Sequence, residues 1–593
     1  MPAHTGMILE NKLDEKNSYE IRGDTSVENK TRTKDLKQYL PILLWLPHYK
    51  AEWLRFDLIA ALSVWALLVP QGIAYASIAG VPAQYGLYAA LGALLGYALF
   101  GTAGQVITGP SAAIAAVSAA VIALWATSGT PEWISYTAAL ALTAGLVYLL
   151  LGWFKMGWIS HFISGAVLGG FVFGFGIGLI VDQTPKILGV PKASGSYFQV
   201  LVGSIKALPE TSIPTLIVGV LSIVLLLLFR RFLPKLPRTI IVVILGIIVS
   251  SMLGLADYGV SVVGTVPTGL PSIVWPSFPP VSLTTLILGS LAVIFIGFSE
   301  SLAAAKEEGS KYDYEIDASQ EMVAQGMANA ASGIVGGFAV EGSLSKTTVA
   351  DLAGQKTQLA SLVCAGLILL TILFLAGFFT TLPQAVLGAV VIDAGISLVK
   401  IKEFQHYRLS RRDFAAFLAT ALVVFFIGVL AGVVAGILLS LLLLIVSAST
   451  TPVRRMAFDK ENNVYVHAEH HPEAELPPGV VVVGIHGPLF FADADNFRKS
   501  VMEMVEEDRP HSVVIDLSAV IMMDMDGDKI LTKLTRELGK KNVQVLLVNV
   551  GSDNLELMHK TGTLEEIGPQ NIYRTVRAAV SAARKAAGES QET

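Results

Sequence analysis

Two short stretches interrupt the long apolar runs of this sequence: ITGPSAA at residues 107–113 and VEGSLSKTT at residues 340–348. Each places glycine and small hydroxyl residues at the beginning of a short apolar segment. A helix that begins there leaves the N–H groups of its first turn unpaired and carries about half a positive charge at that end. Taken singly, either stretch is also compatible with a tight turn between ordinary helices. Taken together, at equivalent places in two halves, they predict facing half-helices that create an anion site inside a membrane.

The composition is that of a membrane protein with polar ends. The 593 residues are 53% hydrophobic and 15% charged, whereas a soluble domain carries about 25% charged residues. The net charge of -5 gives no reason to expect nucleic acid as a partner. The single cysteine, Cys364, lies in an apolar run, so neither a disulfide nor a thiolate metal site is expected. The first 35 residues lack the apolar region of a cleavable signal peptide.

Fourteen apolar segments are candidates for membrane spans, since about 20 helical residues cross the hydrocarbon core. The spans near 107 and 343 are short or interrupted, and the break between the last two is weak, so the count there is open. The predicted spans are 57–78, 84–101, 107–125, 134–154, 160–181, 210–230, 238–255, 283–305, 318–337, 343–354, 358–380, 383–400, 412–430 and 431–449.

Basic residues indicate the orientation, because cytoplasmic loops are rich in Lys and Arg. With fourteen crossings and a cytoplasmic N-terminus, the loops after spans 6, 8, 12 and 14 face inward, and all four are basic. Lys186 and Lys192, after span 5, are the exception. A multi-pass protein of the cell membrane with both termini in the cytoplasm is predicted. The inward-facing basic residues are Arg230, Arg231, Lys235, Arg238, Lys306, Lys311, Lys400, Lys402, Arg408, Arg411, Arg412, Arg454 and Arg455.

The chain divides into four predicted parts. Residues 1–35 are expected to be a disordered cytoplasmic N-terminus, 36–56 an interfacial segment, 57–450 the transmembrane domain and 451–593 a cytoplasmic α/β domain with a tail. In the last part, short β-rich runs alternate with amphipathic helices. The predicted strands are 480–485, 487–493, 511–520 and 542–550, and the predicted helices are 494–507, 527–539, 553–561 and 571–587.

Two charged residues of the apolar region are candidates for a functional role. Lys346 lies in the second interrupted stretch, and Glu300 lies in FIGFSESLAAAK. Ionisable residues are costly in a bilayer and therefore indicate function. Lys346 is interpreted as an anion ligand, with extension of its side chain to the interface as the alternative. Glu300 is interpreted as the proton-coupling residue, with a solvated position near the cytoplasmic end of span 8 as the alternative.

Span 1 contains a third candidate feature. Pro70 and Gly72 are expected to interrupt this helix, while Gln71 and Tyr75, four residues apart, share a face. These two side chains either line a polar cavity or pack against neighbouring helices.

Two other segments are not interpreted as functional sites. The glycines between 169 and 178 are interpreted as helix-packing residues rather than a nucleotide loop. A histidine-rich segment at 467–471 is interpreted as a solvated loop rather than a metal site.

The motifs in order resemble those of the SulP sulfate permease family of anion transporters and exchangers. They are VPQGIAYASIAGVPAQYGLYAAL (69–91), GTAGQVITGPSAA (101–113), FSESLAAAK (298–306), EIDASQEMVAQGMAN (315–329) and GGFAVEGSLSKTTVADLAGQKTQLA (336–360). The C-terminal part resembles a STAS domain, most clearly in VVIDLSAVIMMDMDG (513–527). The resemblance implies a seven-plus-seven inverted repeat with core and gate domains, an elevator-like motion, and homodimers held partly through STAS.

The resemblance also places the anion between the N-termini of half-helices 3 and 10, beside span 1. Many relatives have Arg where this chain has Lys346. The lysine keeps the positive charge but cannot donate the two parallel hydrogen bonds of a guanidinium group. Asp524 is followed by Met525 and Asp526, without the Ser or Thr that is often phosphorylated there. The implied substrate-binding residues are Gln71, Tyr75, Ser111, Ala112, Ser343, Leu344, Ser345, Lys346 and Thr347.

The predicted function is secondary active transport of small inorganic anions, with proton-coupled sulfate symport foremost. Bicarbonate, chloride and dicarboxylates are alternative substrates, and sodium coupling or exchange is an alternative mechanism. A nucleobase carrier and a membrane-anchored STAS signalling protein are the competing functions. The predicted partners are the anion, protons, the lipid bilayer and a second copy of the chain. No nucleophile–base set or phosphate-binding loop supports an enzyme, and no catalytic residue, cofactor or metal is predicted.

Overall fold

The computed structural model describes residues 40–162, 164–233, 237–267, 269, 276–280, 283–448 and 452–588. The predicted disordered segment, 1–35, lies outside these residues. Within the predicted interfacial segment, a one-turn helix at Ile42–Trp45 and 3-10 turns at Leu46–His48 and Ala51–Trp53 precede the first long helix. The two prolines of this segment, at 41 and 47, limit the helix to these short turns.

Fourteen helices follow the predicted spans to within a few residues at most ends. Short helices also lie at Tyr197–Lys206 and Ile401–Tyr407, and neither was predicted. The fourteen are α1 Leu54–Ala79, α2 Ala83–Phe100, α3 Ala112–Ile122, α4 Pro131–Trp153, α5 Gly165–Leu188, α6 Ile213–Phe232, α7 Arg238–Leu253, α8 Leu283–Tyr312, α9 Ala318–Ile334, α10 Leu344–Leu352, α11 Leu359–Leu370, α12 Gln384–Leu398, α13 Arg411–Phe426 and α14 Val429–Ala448. Helical turns at Thr371–Leu375 and Ala376–Phe379 extend α11.

The apolar surface of this region is that of an integral membrane protein. Among the described residues, nine helices are long and apolar enough to cross a bilayer. Two shorter apolar helices, α3 and α7, have 11 and 16 residues. Fourteen crossings therefore stay a prediction, because α3 and α10 are too short to span alone. The weak break between the last two spans lies at Gly428, whose φ of 136° is readily adopted only by glycine.

Helix α1 corrects one expectation about span 1. It runs without interruption from Leu54 to Ala79 with Pro70 inside it, because neighbouring helices in a membrane protein can satisfy the groups that a proline frees. Gly72 does not break the helix but permits close contact with α2. A Cβ added to Gly86 would lie 1.9 Å from the Gly72 carbonyl oxygen. The two glycines therefore hold α1 and α2 in direct backbone contact.

Helix α5 confirms that its glycines serve helix packing. A Cβ added to Gly170 would lie 2.1 Å from the carbonyl oxygen of Phe417, and one added to Gly174 would lie 2.6 Å from that of Ala421. Both carbonyls belong to α13. Small residues thus let the two backbones approach each other, as is common in membrane proteins.

Two short strands connect the halves of the membrane region. Strand β1, Thr108–Gly109, lies just before α3, and strand β2, Glu341–Gly342, lies just before α10. They pair antiparallel, with Thr108 opposite Gly342 and Gly109 opposite Glu341. The ladder therefore brings the beginnings of two half-helices to one place.

The C-terminal domain is a mixed sheet with helices on both faces. The strand order is β4-β3-β5-β6-β7-β8; β4, β3 and β5 pair antiparallel, and β5 to β8 pair parallel. The strands are β3 Val453–Asp459, β4 Val464–His467, β5 Val480–Ile485, β6 Ser512–Asp516, β7 Gln544–Val548 and β8 Ile572–Tyr573. The helices are α15 Ala494–Asp508, α16 Met525–Lys540, α17 Ser552–Thr561, α18 Thr563–Ile567 and α19 Val576–Ala586.

Alternate side chains of β5 face opposite sides of the sheet and enter two separate cores. Val481 and Val483 enter the core that α15 and α16 cover, whereas Val480 and Val482 enter the smaller core under α19. The prediction of a strand over 487–493 is wrong. Only Leu489 makes a bridge there, to Met523, and the next residues turn directly into α15.

Candidate functional site

The β1–β2 ladder fixes the geometry of the candidate site. Beyond its two pairs, the Ser343 amide donates a hydrogen bond of 3.0 Å to the Ile107 carbonyl. The Ile107 amide in turn donates to the Thr347 hydroxyl oxygen at 3.0 Å. Both half-helices therefore leave the same small sheet, and backbone bonds together with the Thr347 hydroxyl hold their N-termini in place.

The two half-helices are capped differently. The Ser111 hydroxyl, buried before α3, accepts a hydrogen bond from the Ile114 amide at 3.2 Å. Before α10, Ser343 makes no such bond to the first turn; its hydroxyl instead lies 3.1 Å from that of Ser345. The first turn of α10 thus has amide groups that no side-chain cap occupies. These groups and the positive end of the helix suit an anion.

Lys346 lies inside the protein. Its side chain is only 1% exposed, so it does not extend to the interface. An added Cβ at Gly109 of β1 would lie 3.8 Å from Lys346 Cε. Lys346 has no hydrogen-bond partner within the described part of the chain, and it interacts electrostatically with Glu300 and Glu341. It is therefore a buried cation beside the two helix N-termini.

Glu300 occupies the middle of α8 rather than its end. The helix has 30 residues and continues to Tyr312. The residue is half-buried, and its carboxylate interacts with the carboxylate of Glu341, with Lys346 and, from another segment, with Lys400. Because Lys400 belongs to a predicted cytoplasmic loop, the depth of Glu300 in the bilayer stays a prediction.

Glu341 is the residue that the sequence-based site omitted. It is fully buried on β2, and neither carboxylate oxygen has a hydrogen-bond partner among the described residues. It interacts with Glu300 and lies near the Ser111 hydroxyl. The available signal was an acidic residue inside the interrupted stretch 340–348, where a charge is as costly as at Lys346.

Most of the other predicted site residues lie around the ladder. Helix α1 packs against both α3 and α10. Its Tyr75 is 5% exposed and interacts electrostatically with Glu341, Glu300 and Asp393, while Gln71 is partly exposed one turn earlier. The remaining residues differ in exposure: Ala112, Ser343 and Thr347 are buried, Leu344 is partly buried and Ser345 is exposed. Thr347 already supports the backbone at Ile107.

Polar anchors on α8 and α9 hold β2 in place. The Asn329 side chain donates to the carbonyls of Gln325 and Val340, both at 2.9 Å, and accepts from the Val340 amide at 3.0 Å. The Ser301 hydroxyl accepts from the Gly342 amide at 2.8 Å. These anchors lie in different helices from the ladder, so no local pattern in the sequence identifies them.

The loops around the half-helices are fastened to each other. The Gln358 side chain donates to the carbonyls of Ala103 and Val106, each at 2.8 Å. At the beginning of α1, the buried Asp57 carboxylate accepts from the amides of Lys356 and Thr357 at 2.7 and 3.1 Å. The segment after α10 therefore supports both the loop before α3 and the first turn of α1.

The histidine-rich segment lies at the edge of the C-terminal sheet. Nε2 of His467 lies 2.7 Å from Nε2 of His486, and His471 pairs with Glu473. Within the described ranges, no group of three or more His, Cys, Asp or Glu side chains is arranged to hold a metal ion. Burial and the neighbouring His486 lower the pKa of His467 below its ordinary value of 6.5.

Comparison with known proteins decides the family. The sulfate permease family profile matches residues 54–420, which include both half-helices, the ladder and Lys346. The chain belongs to the sulfate permease family. The STAS domain profile matches residues 471–579, so the C-terminal sheet is a STAS domain preceded by two further strands.

Individual relatives cover nearly the whole chain. A probable sulfate transporter of Mycobacterium tuberculosis is 31% identical over 563 residues, which are 92% of this chain and 98% of the relative. The chloroplastic sulfate transporter 4.1 of Arabidopsis thaliana is 28% identical over 91% of this chain and 82% of its own length. The murine Solute Carrier 26 family member A9 anion transporter, solved in the inward-facing state, has a TM-score of 0.83 at 27% identity, covering 93% of this chain and 94% of that one.

Proposed function

We propose that this sulfate permease family member is a secondary active transporter of small inorganic anions, and that it carries sulfate together with protons. The observation that carries the proposal is the β1–β2 ladder, which sets the N-termini of α3 and α10 beside the buried Lys346. Two helix ends and one ammonium group supply about two positive charges. That charge suits a divalent oxyanion.

The substrate-binding residues of the proposal are those that surround the ladder. Lys346 provides the full charge, and the amides at the start of α10 and the hydroxyls of Ser111 and Ser345 provide hydrogen-bond donors. Tyr75 and Gln71 of α1 close the site from the side. Relatives that bear the name sulfate transporter support sulfate as the leading substrate.

Glu300 is the proton-coupling residue of the proposal. Its position in the middle of α8, next to Lys346, allows its protonation state to alter the attraction for an anion. An ionised Glu300 repels the anion and neutralises Lys346, whereas a protonated Glu300 does neither. Binding of anion and proton is therefore mutually favourable, which is the requirement for symport.

Transport would involve a movement of one group of helices against another, and the molecule would act as a dimer. The helices that carry the site, α1, α3, α8 and α10, would move as a core against a gate that includes α5, α12 and α13, in an elevator-like manner. The molecule would form homodimers held partly through the STAS domain, with both termini in the cytoplasm of a cell. The likeness to the inward-facing murine anion transporter is consistent with such a division.

Uptake by proteoliposomes tests the function. The purified chain is reconstituted, and uptake of labelled sulfate, bicarbonate and succinate is measured with and without an inward proton gradient. We expect sulfate uptake to rise with the gradient in the wild type and to respond to it less in Glu300→Gln. Uptake of sulfate that is indifferent to pH would remove proton coupling, and uptake of another anion alone would replace sulfate as the substrate.

A further inference from the structure

Glu341 is a second acidic residue near the candidate site, and it is buried. Transport coupled to one proton through Glu300 leaves Glu341 without a role. Its side chain is fully buried, and in the described part of the protein neither oxygen has a hydrogen-bond donor. A carboxylate in such surroundings is costly to ionise unless a cation compensates it. Glu341 differs in this respect from the buried Glu321, whose oxygens accept bonds from Tyr97, Thr102 and the amide of Ala103.

The surroundings of Glu341 contain one cation and several groups that can titrate. Strand β2, which carries it, packs against β1, α8 and α9. Helix α9 contributes neutral amides there, Gln325 and Asn329, and the hydroxyl of Ser111 lies before α3. The titratable groups that interact with it within the described structure are Tyr75 of α1, Tyr148 of α4, Glu300 of α8 and Lys346 of α10. Lys400 reaches Glu300 rather than Glu341.

The charges of the empty site balance. Lys346 contributes one positive charge and the two helix N-termini contribute about one more together. Glu300 and Glu341, when ionised, contribute two negative charges. A divalent anion that entered this site would therefore leave about two uncompensated negative charges in a buried place, which is strongly unfavourable. One proton on Glu300 removes only one of them.

We propose that Glu341 and Glu300 form a pair of proton-carrying residues, and that the site takes up a divalent tetrahedral oxyanion together with two protons. The inference rests on the proposed proton-coupled transport and fixes its stoichiometry and substrate class. Each carboxylate accepts one proton from water on the side where the anion enters and returns it to water on the side where the anion leaves. A monovalent anion needs only one of the two protons.

Accumulation at equilibrium measures the number of coupled protons. Proteoliposomes that contain the full chain are held at zero membrane potential with potassium and valinomycin, and a fixed pH gradient is imposed. With two protons per sulfate, the accumulation ratio changes about 100-fold per pH unit, and with one proton about tenfold. We expect about 100-fold for the wild type, about tenfold for Glu341→Gln and for Glu300→Gln, and no dependence on pH for the double variant.

Three comparisons keep the result interpretable. Glu308→Gln removes another buried acid of α8, which lies near Asp351 and Lys311 instead of Lys346, and it should retain the 100-fold ratio. Glu341→Asp restores a carboxylate and should accumulate sulfate more steeply with pH than Glu341→Gln. If Glu341→Gln does not fold, proton uptake is measured directly: the wild type in weakly buffered detergent should bind two protons with each sulfate.

The outcomes separate this inference from the proposed function. A tenfold ratio in the wild type, or a 100-fold ratio in Glu341→Gln, would overturn the second proton site while leaving symport through Glu300 intact. Absence of sulfate uptake, or uptake that ignores the pH gradient in the wild type, would instead overturn the proposed function itself. In the direct measurement, one proton per sulfate would likewise exclude the pair.

Discussion

Gly109 on β1 lies directly opposite Glu341 on β2, and this pair brings the backbone of one half of the membrane region against an acidic residue of the other. A side chain at 109 would meet Leu68, whose Cδ1 lies 3.1 Å from the position of an added Cβ, and would approach Lys346 Cε. The absence of that side chain leaves the room beside Lys346 that an anion would need.

Replacing Lys346 by alanine should weaken sulfate binding about tenfold to 100-fold. The change removes the buried cation, and hydrogen bonds to charged groups are worth about 1.5–3 kcal/mol. Calorimetric titration of the detergent-solubilised chain with sulfate measures the affinity. Lys356→Ala is the matched control, because this exposed lysine lies just beyond α10 and contacts the ring of Phe56. Equal affinities for wild type and Lys346→Ala would contradict the site.

Replacing Asn329 by leucine should destabilise the membrane region by about 3 kcal/mol. The side chain makes three hydrogen bonds to buried backbone groups, and each is worth about 1 kcal/mol net. Unfolding of the solubilised protein by denaturant measures the loss. Thr348→Val removes a hydroxyl that bonds to the Leu344 carbonyl on an exposed face, and it should change stability little. A similar stability for both variants would show that β2 needs no anchor.

Gly86→Ala should prevent close packing of α1 and α2. Its Cβ would lie 1.9 Å from the Gly72 carbonyl oxygen, and overpacking of a core costs about 1–3 kcal/mol or more. We expect little monodisperse protein in size-exclusion chromatography. Gly366→Ala is the control, since an added Cβ there has no atom within 4 Å; it should be neutral or stabilising. A normal yield of Gly86→Ala would refute the backbone contact.

The STAS domain should lose stability as the pH falls below the ordinary histidine value. Burial and His486 lower the pKa of His467 from 6.5, so the fold favours the neutral ring. This stabilising contribution is fully present above pH 6.5 and is lost as the pH falls from there towards the lowered pKa. Titration of the full chain with isotope-labelled histidine should give His467 a midpoint below 6.5, and His486→Ala should raise it. A midpoint at or above 6.5 in the wild type would contradict this.

Hydropathy predicted the membrane helices well because burial in lipid acts on single segments of about 20 residues. The two interrupted stretches marked the places where α3 and α10 begin. Glu341 had one local signal, its place inside the stretch 340–348, but the groups around it come from α1, α4, α8 and α10 and no local pattern reveals them. Pro70 was misjudged because its effect on α1 depends on the helices around it.

In the C-terminal domain, short continuous apolar runs identified β5, β6 and β7, which are buried on both faces. Strands β3, β4 and β8 were missed because they lie towards the edges of the sheet and are more polar, and β8 has only two residues. Residues 487–493 were apolar enough for a strand, but Leu489 finds its single bridge in the loop at Met523. Edge strands depend on pairing that periodicity alone does not show.

The β1–β2 ladder also constrains the order in which the protein can be made. Strand β1 leaves the ribosome long before β2, and until then Thr108 and Gly109 have no strand partner. Helix α3, with 11 residues, is too short to span the membrane alone while it waits. The candidate site therefore cannot form by sequential insertion of finished spans. It closes only after the second half of the membrane region has been synthesised, when the two half-helices find each other inside the bilayer.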